Sequence, residues 1–218
     1  MEFYLIRHGD PDYEHDTLTT YGHRQAELLG KRLEKENIDY LYSSPLGRAQ
    51  ATSAPLARLT GKTVKILPWA QEVGIPCYIP SPDYLEQKNL DLGKLFYTRE
   101  KYKEWPFAIC EERVSTGIDC LFGVHGYSKF GDKYKVISHS DEKIALFCHG
   151  NLGIFVISYL KNLPMNVAAS HLVLYTTSVT KFVFEEKDGF AVPKIQYFNE
   201  RMHLGDNPDP NVDAIPQV

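Results

Sequence analysis

Phe3-Tyr4-Leu5-Ile6-Arg7-His8-Gly9 is a run of four apolar or aromatic residues closed by two basic side chains and a glycine. Bounded by turn-formers, such a run reads as a buried strand of a parallel sheet. Gly9 permits a sharp turn, and Asp10-Pro11-Asp12 keeps the strand from running on. Ligands of open α/β sheets bind in the crevice at the carboxyl ends of the strands. Arg7 and His8 are therefore placed to face a crevice instead of a core. A guanidinium suits the planar, bidentate grip of a phosphate. An imidazole beside it can act as nucleophile or proton carrier near neutral pH. Strand ends carrying two polar residues are common, however, and this tripeptide alone does not separate function from accident.

Outward from this strand the chain alternates. Residues 12–16 form an acidic, polar loop, and Leu18-Thr19-Thr20-Tyr21-Gly22 leads into a helix. There Ala26, Leu29, Gly30 and Leu33 recur at helical spacing, with Glu27, Lys31, Arg32, Glu34 and Lys35 opposite. Thr19 or Thr20 is its expected cap. A second strand over 38–42 ends in Ser43-Ser44-Pro45-Leu46-Gly47-Arg48-Ala49-Gln50-Ala51-Thr52. The proline suits the first turn of the next helix. Arg48 falls in that turn, where free amides and the helix dipole favour an anion. A short strand follows over 64–67, with Glu72 just beyond its end.

Between 75 and 134 the character changes. Pro76, Pro80, Pro82 and Pro106 interrupt a stretch rich in aromatics, including Tyr78, Tyr84, Phe96, Tyr97, Tyr102, Trp105 and Phe107. We read it as an insertion lying over the crevice. Its one clear helix, over 111–122, carries Val114, Ile118, Leu121 and Phe122 on one side, and more core is the alternative reading for it. Regular patterning returns with a buried strand over 143–148 that ends in His149-Gly150, followed by an apolar helix over 153–160. This repeats the opening order of strand, histidine, glycine and helix. His139, in Ile137-Ser138-His139-Ser140, is a rival histidine expected in a hairpin turn. Strands over 179–185 and 195–198 flank a Lys187-Asp188-Gly189 turn typical of a hairpin. Residues 207–218 are rich in Pro, Asp and Asn and read as a loose tail.

The bulk numbers limit the function classes. The 218 residues suffice for a single domain with a well-buried core. A formal net charge of −4 gives no basic field, which argues against nucleic acid as a partner. Cys77, Cys110, Cys120 and Cys148 show no CxxC spacing, which argues against a structural zinc site and fits a reducing cytoplasm. The longest apolar stretch, around 152–160, is too short to span a bilayer. The first strand begins almost at Met1 and leaves no room for a leader peptide. The expectation is a cytoplasmic protein without membrane or nucleic acid partners, and a homodimer is left open.

Order and placement together carry more than any single motif. Arg7-His8-Gly9 follows the first strand, and Ser44-Pro45-x-x-Arg48-Ala49-x-x-Thr52 follows the second. Glu72 comes after the third strand, and His149-Gly150 after a later one. Leu18-Thr19-x-x-Gly22-x-x-Gln25-Ala26 and Asn199-x-x-x-His203-Leu204 support the pattern. The whole resembles the histidine phosphatase superfamily, in its phosphoglycerate-mutase-like branch, over nearly all of the chain except 75–134. The resemblance implies an α/β fold with a mostly parallel central sheet flanked by helices and an inserted cap.

The resemblance also implies roles. Arg7, Arg48 and His149 would surround a phosphoryl group, and His8 would accept it in line. Positive charge and positioning are what phosphoryl transfer asks of a protein. His8 needs a backbone acceptor on its other nitrogen to fix its tautomer. Glu72 would protonate the leaving oxygen and then activate water, with Asp10 as the alternative acid. No cofactor is implied, and no carboxylate cluster is suited to magnesium. The chain departs from glycolytic mutases: Asp10-Pro11-Asp12-Tyr13 stands where they carry Ser-x-Trp-Asn, and the Tyr-Gly and Gly-Leu-Asn-Lys features after their acid are missing. His149-Gly150-Asn151 also replaces the commoner His-Gly-Gly. The expected activity is therefore metal-independent hydrolysis of a small phosphorylated metabolite. A mutase and a non-catalytic phosphate-binding regulator are the alternatives.

Overall fold

The structure, a computed structural model, describes residues 1–73 and 107–205. Its elements in chain order begin with β1 (Glu2–Arg7), β2 (Pro11–Asp12), β3 (Thr17–Leu18), α1 (Thr20–Glu34), β4 (Tyr40–Ser43), α2 (Gly47–Thr60) and β5 (Val64–Ile66). A 3-10 turn (Pro68–Ala70) follows, and then α3 (Phe107–Gly123), β6 (Tyr127–Phe130), β7 (Lys133–Val136) and β8 (Lys143–Cys148). The chain continues through α4 (Gly150–Lys161), α5 (Met165–His171), β9 (Val179–Lys187), β10 (Phe190–Glu200) and a closing 3-10 turn (Met202–Leu204).

Among the described residues eight strands form one sheet, in the order β5-β4-β8-β1-β9-β10-β7-β6. The first four run parallel, and β9, β10, β7 and β6 extend the sheet antiparallel. The parallel description thus holds for the half that carries the crevice, and the sheet as a whole is mixed.

The unbroken apolar run of β1 has a direct cause. Tyr4 and Ile6 pack with Leu29 and Leu33 of α1 and Leu56 of α2. Phe3 and Leu5, pointing the other way, pack with Val114, Ile118 and Phe122 of α3 and Leu152 and Val156 of α4. Helices cover both faces, so no position between Phe3 and Ile6 is left for a charged side chain, and Glu2 and Arg7 stand at the two ends of the strand. Truncating Leu5 or Ile6 to alanine would cost about 2–5 kcal/mol.

Local chemistry sets the ends of the elements. Thr19 caps α1 by accepting from the Gly22 amide, at 3.0 Å. The β9–β10 turn places Asp188 and Gly189 at positive φ, as the Lys187-Asp188-Gly189 sequence requires. Two expectations need correction. The stretch 75–134 is not one insertion: α3 is part of the main core, and β6 and β7 extend the central sheet. The apolar face of α3 needs a partner, and the sheet supplies it. His139 lies in the connection between β7 and β8, which are not neighbouring strands, so it occupies no hairpin turn. Helix α5 and strands β2, β3, β6 and β7 were not foreseen, being short or weakly periodic. Residues 75–106 of the expected cap, with Tyr78, Tyr97 and Trp105, lie outside the described residues, as does the 207–218 tail.

Candidate active site

Strand register assembles the site. Parallel β1 and β8 align Arg7 with Cys148, and β4 and β8 align Ser43 with Phe147. One residue further along each strand stand His8, His149 and Ser44. The His8 amide donates to the Cys148 carbonyl and the Ser44 amide to the Phe147 carbonyl, both at 2.9 Å. Residues far apart in sequence thus meet at one sheet edge because three parallel strands end together. The His8 and His149 rings lie edge to face with centroids 5.2 Å apart.

His8 is 2 % exposed. Its Nδ1 donates to the Gly9 carbonyl at 2.7 Å, which leaves Nε2 unprotonated. Burial, then the Arg7 charge, with Arg48 adding to them, pull its pKa down to about 3. The ring is neutral at neutral pH, with the lone pair of Nε2 available. Gly9 is held in turn by Thr52, whose Oγ1 accepts from the Gly9 amide at 2.9 Å and donates to the Arg48 carbonyl at 2.7 Å.

His149 is fully buried, and its Nε2 lies 2.7 Å from Ser44 Oγ. That hydroxyl already accepts from the Leu46 amide at 3.2 Å, so its own hydrogen is free to point at Nε2. His149 Nδ1 then carries the proton, and it has no partner in the protein. Burial, followed by His8, Arg48, Arg7 and Arg113, lowers the His149 pKa to about 2.

Arg7 donates through Nη1 to the Leu174 carbonyl, while its Nε is buried without a partner. Arg48 is 9 % exposed, and its Nε is likewise unpartnered. Its Nη1 is paired with Asp16 Oδ1 at 2.6 Å, and Asp16 Oδ2 accepts from the Gly47 amide at 2.7 Å. The sequence suggested an external anion at the start of α2. The structure puts the protein's own carboxylate on the Gly47 amide, which leaves the Arg48 guanidinium oriented with its Nε free. Gly47 is required there, because a β-carbon would collide with the Asp16 backbone carbonyl. Asp16 was missed as a site residue. The available signal was Leu46, which stands at the cap of α2 and makes no side-chain cap bond, so an acceptor must come from elsewhere.

Glu72 reaches the site from beyond β5. Its Oε1 accepts from the amides of Val73 at 2.8 Å and Leu152 at 3.0 Å, and its Oε2 meets the Asn151 amide at 3.4 Å. The carboxyl therefore caps the first turn of α4 directly after His149. Burial raises its pKa against the pull of these amides and of Arg7. Asp10 is tied down differently: its Oδ2 accepts from the Thr19 hydroxyl at 2.6 Å and its amide donates to Gln25 Oε1 at 2.7 Å.

The supporting motifs hold the frame. Gly22 lets the Asp10 backbone pass where a β-carbon would collide with its carbonyl. Gln25 bridges Asp10 to Thr176. The Thr177 amide donates to the carbonyls of Arg7 and His8, both at 3.1 Å, and His203 Nε2 lies 3.0 Å from Thr177 Oγ1. Asn199 fastens the same segment through Val173 and Tyr175. Among the described residues no group of three or more His, Cys, Asp or Glu is arranged to hold a metal ion.

Among curated sequences, "Probable phosphoglycerate mutase GpmB" of Photorhabdus laumondii is 26% identical over 113 residues, 48% of either chain. The chain thus spans about half the length of this curated relative. Among solved structures, a phosphoserine phosphatase from Entamoeba histolytica, in complex with 3-phosphoglyceric acid, superposes with a TM-score of 0.64 at 22% identity. That match covers 93% of this chain and 98% of the other. A mycobacterial glucosyl-3-phosphoglycerate phosphatase with VO3 gives a TM-score of 0.62 at 18% identity, covering 91% and 98%. The profile of the histidine phosphatase superfamily (branch 1) matches residues 3–196, and the chain belongs to that family.

Proposed function

We propose that the protein is a metal-independent phosphatase that hydrolyses a small phosphorylated metabolite through a phosphohistidine at His8. One observation carries the reading. Arg7 Nε, Arg48 Nε and His149 Nδ1 are buried and unpartnered around a neutral His8 whose Nε2 is free. Buried donors without acceptors are expensive in a fold, and a phosphoryl group with its equatorial oxygens would satisfy all three at once.

In the first half-reaction the Nε2 lone pair of His8 attacks phosphorus. The bond to the leaving oxygen breaks, and Glu72, whose burial biases its carboxyl toward the acid form, gives that oxygen its proton. In the second, Glu72 takes a proton from water, the resulting hydroxide attacks phosphorus, and the N–P bond breaks to release phosphate and neutral His8. Arg7, Arg48 and His149 hold the charge throughout.

The phosphatase neighbours in structure support hydrolysis. The curated sequence relatives are named as probable phosphoglycerate mutases, and a mutase would return the phosphoryl group to the organic product. The free Cys110, Cys120 and Cys148 support a reducing cytoplasm as its location. Incubation with a panel of phosphorylated metabolites in EDTA, with free phosphate measured, tests the activity. Mass spectrometry of a slow variant quenched without acid should find the phosphoryl group on His8. Activity lost on chelation and restored by magnesium, or a phosphoryl group on His149 or a serine, would refute the mechanism.

A further inference from the structure

We propose that His203 is a positioning residue for the Arg7–His8 pair and acts through Thr177. The stretch 199–203 clamps the turn over 173–177, and that turn sets the geometry of both groups for phosphoryl transfer. The inference rests on the hydrolase reading above and deepens it.

Thr177 is fully buried and has a φ of 56°. The other non-glycine residues at positive φ among those described are Asp16, Asn37, Asn162, Asp188 and Asn199, all side chains that tolerate the left-handed region. A β-branched residue does not, and such a conformation persists only where its surroundings over-determine it. What it secures lies next to it. The Thr177 amide donates to the carbonyls of both Arg7 and His8, and the Ser178 carbonyl accepts from the Arg7 amide at 3.2 Å. The same turn reaches the Arg7 side chain, whose Nη1 donates to the Leu174 carbonyl. Backbone and guanidinium are thus both held by residues 174–178.

Three alternate residues hold that turn. Asn199 brackets Leu174: its Oδ1 accepts from the Tyr175 amide and its Nδ2 donates to the Val173 carbonyl, both at 2.9 Å. The Arg201 guanidinium lies 4.3 Å from the centroid of the Tyr175 ring. His203 takes Thr177. The Thr177 hydroxyl gives its hydrogen to the Thr176 carbonyl at 2.7 Å, so it accepts from His203 Nε2 at 3.0 Å. The His203 ring is neutral at neutral pH, because burial and then Arg32 and Arg201 lower its pKa to about 4, and its Nδ1 is buried without a partner. The hydrogen bond of the ring therefore goes to the strained residue. Without it Thr177 is released from the left-handed region, and its amide turns away from the Arg7 and His8 carbonyls. A displacement of about 1 Å at a reacting group can cost a hundredfold in rate.

The test measures kcat and KM for p-nitrophenyl phosphate, vanadate affinity by calorimetry, and the thermal midpoint. The variants are His203→Leu, His203→Gln and Thr177→Gly, with Ile38→Val as a control weakened in the core between α1 and β4. His203→Leu should lower kcat about ten- to a hundredfold with little change in KM, and weaken vanadate, a mimic of the transition state, by a similar factor. His203→Gln, whose amide nitrogen can occupy the place of Nε2, should recover most of the loss. Thr177→Gly takes the left-handed region freely but offers His203 no hydroxyl, so it should fold and fall in kcat. It decides the matter if His203→Leu does not fold. A folded His203→Leu or Thr177→Gly with the kcat and vanadate affinity of the wild type overturns the inference. So does an equal loss of kcat in Ile38→Val, or a glutamine variant no better than the leucine one. A wild type that binds vanadate yet hydrolyses no ester overturns the hydrolase reading alone, and the vanadate affinities of the variants then decide this inference. A wild type that binds no vanadate overturns both.

Discussion

Replacing Glu72 by glutamine separates its chemical role from its structural one, because the geometry keeps the two on different oxygens. Oε1 takes the Val73 and Leu152 amides, whereas Oε2 has only the longer contact to Asn151. A glutamine carbonyl placed like Oε1 retains both short bonds. The variant loses the weak contact and the charge at the start of α4, together about 1 kcal/mol of stability. Its amide cannot give up a proton as the acid does. With an alkyl phosphate, whose leaving oxygen is strongly basic, the rate should fall about a hundred- to ten-thousandfold, or about 3–5 kcal/mol in the barrier. With p-nitrophenyl phosphate the leaving group departs unaided, so phosphorylation of His8 is spared. Hydrolysis of the phosphohistidine then becomes limiting, because water has lost its base. Rapid mixing should show a burst of nitrophenolate close to one per site, followed by a slow steady state. The same logic gives a pH signature: the alkyl ester loses activity as pH rises through the raised pKa of Glu72, and nitrophenolate formation in the burst does not. If the variant keeps its thermal midpoint yet slows both substrates equally with no burst, the acid is elsewhere, and Asp10 is the next residue to replace.

Two further expectations concern stability and positioning. His8 and His149 titrate below 6.5 in the folded chain, at about 3 and about 2, so the unfolded state binds more protons as pH falls below 6.5. Their contribution is complete above that value and declines beneath it, by about 2 kcal/mol for each at pH 5. Urea midpoints at pH 7.5 and 5 should show the loss, and His8→Asn should remove about half of this histidine contribution; an unchanged slope would refute the burial argument. Asp16→Asn puts an amide nitrogen against either Arg48 or the Gly47 amide, so it should lower stability by about 1 kcal/mol. It should also reduce kcat/KM for alkyl and nitrophenyl esters alike, since the proposed mechanism turns Arg48 toward the phosphoryl group common to both. Full activity in this variant would show that Asp16 does not position Arg48.

Much of the molecule is legible in local patterns. Continuous apolar runs over β1 and β8 require covering on both faces, and that alone calls for helices around a parallel core. Thr19, Pro45 and Asp188-Gly189 mark element ends by chemistry confined to a few residues. Arg7, His8 and His149 stand out because each sits at a strand end before a turn or helix, and Arg48 because it falls in the first turn of the helix after one. The antiparallel half of the sheet and the place of α3 are different in kind. The apolar side of α3 fits an inserted cap as well as a core, and only the closed packing against Phe3 and Leu152 decides between them. The short β7 acquires its identity from pairing with β10, and β6 from pairing with β7, not from their own pattern. The partners that set the site belong to the same class. Asp16 and Ser44 act through contacts across 31 to 105 residues of chain, with Gly47, Arg48 and His149. Sequence determines which groups can ionise or bond, whereas the choice among distant partners belongs to the fold, because a hydrogen bond depends on distance in space and not along the chain.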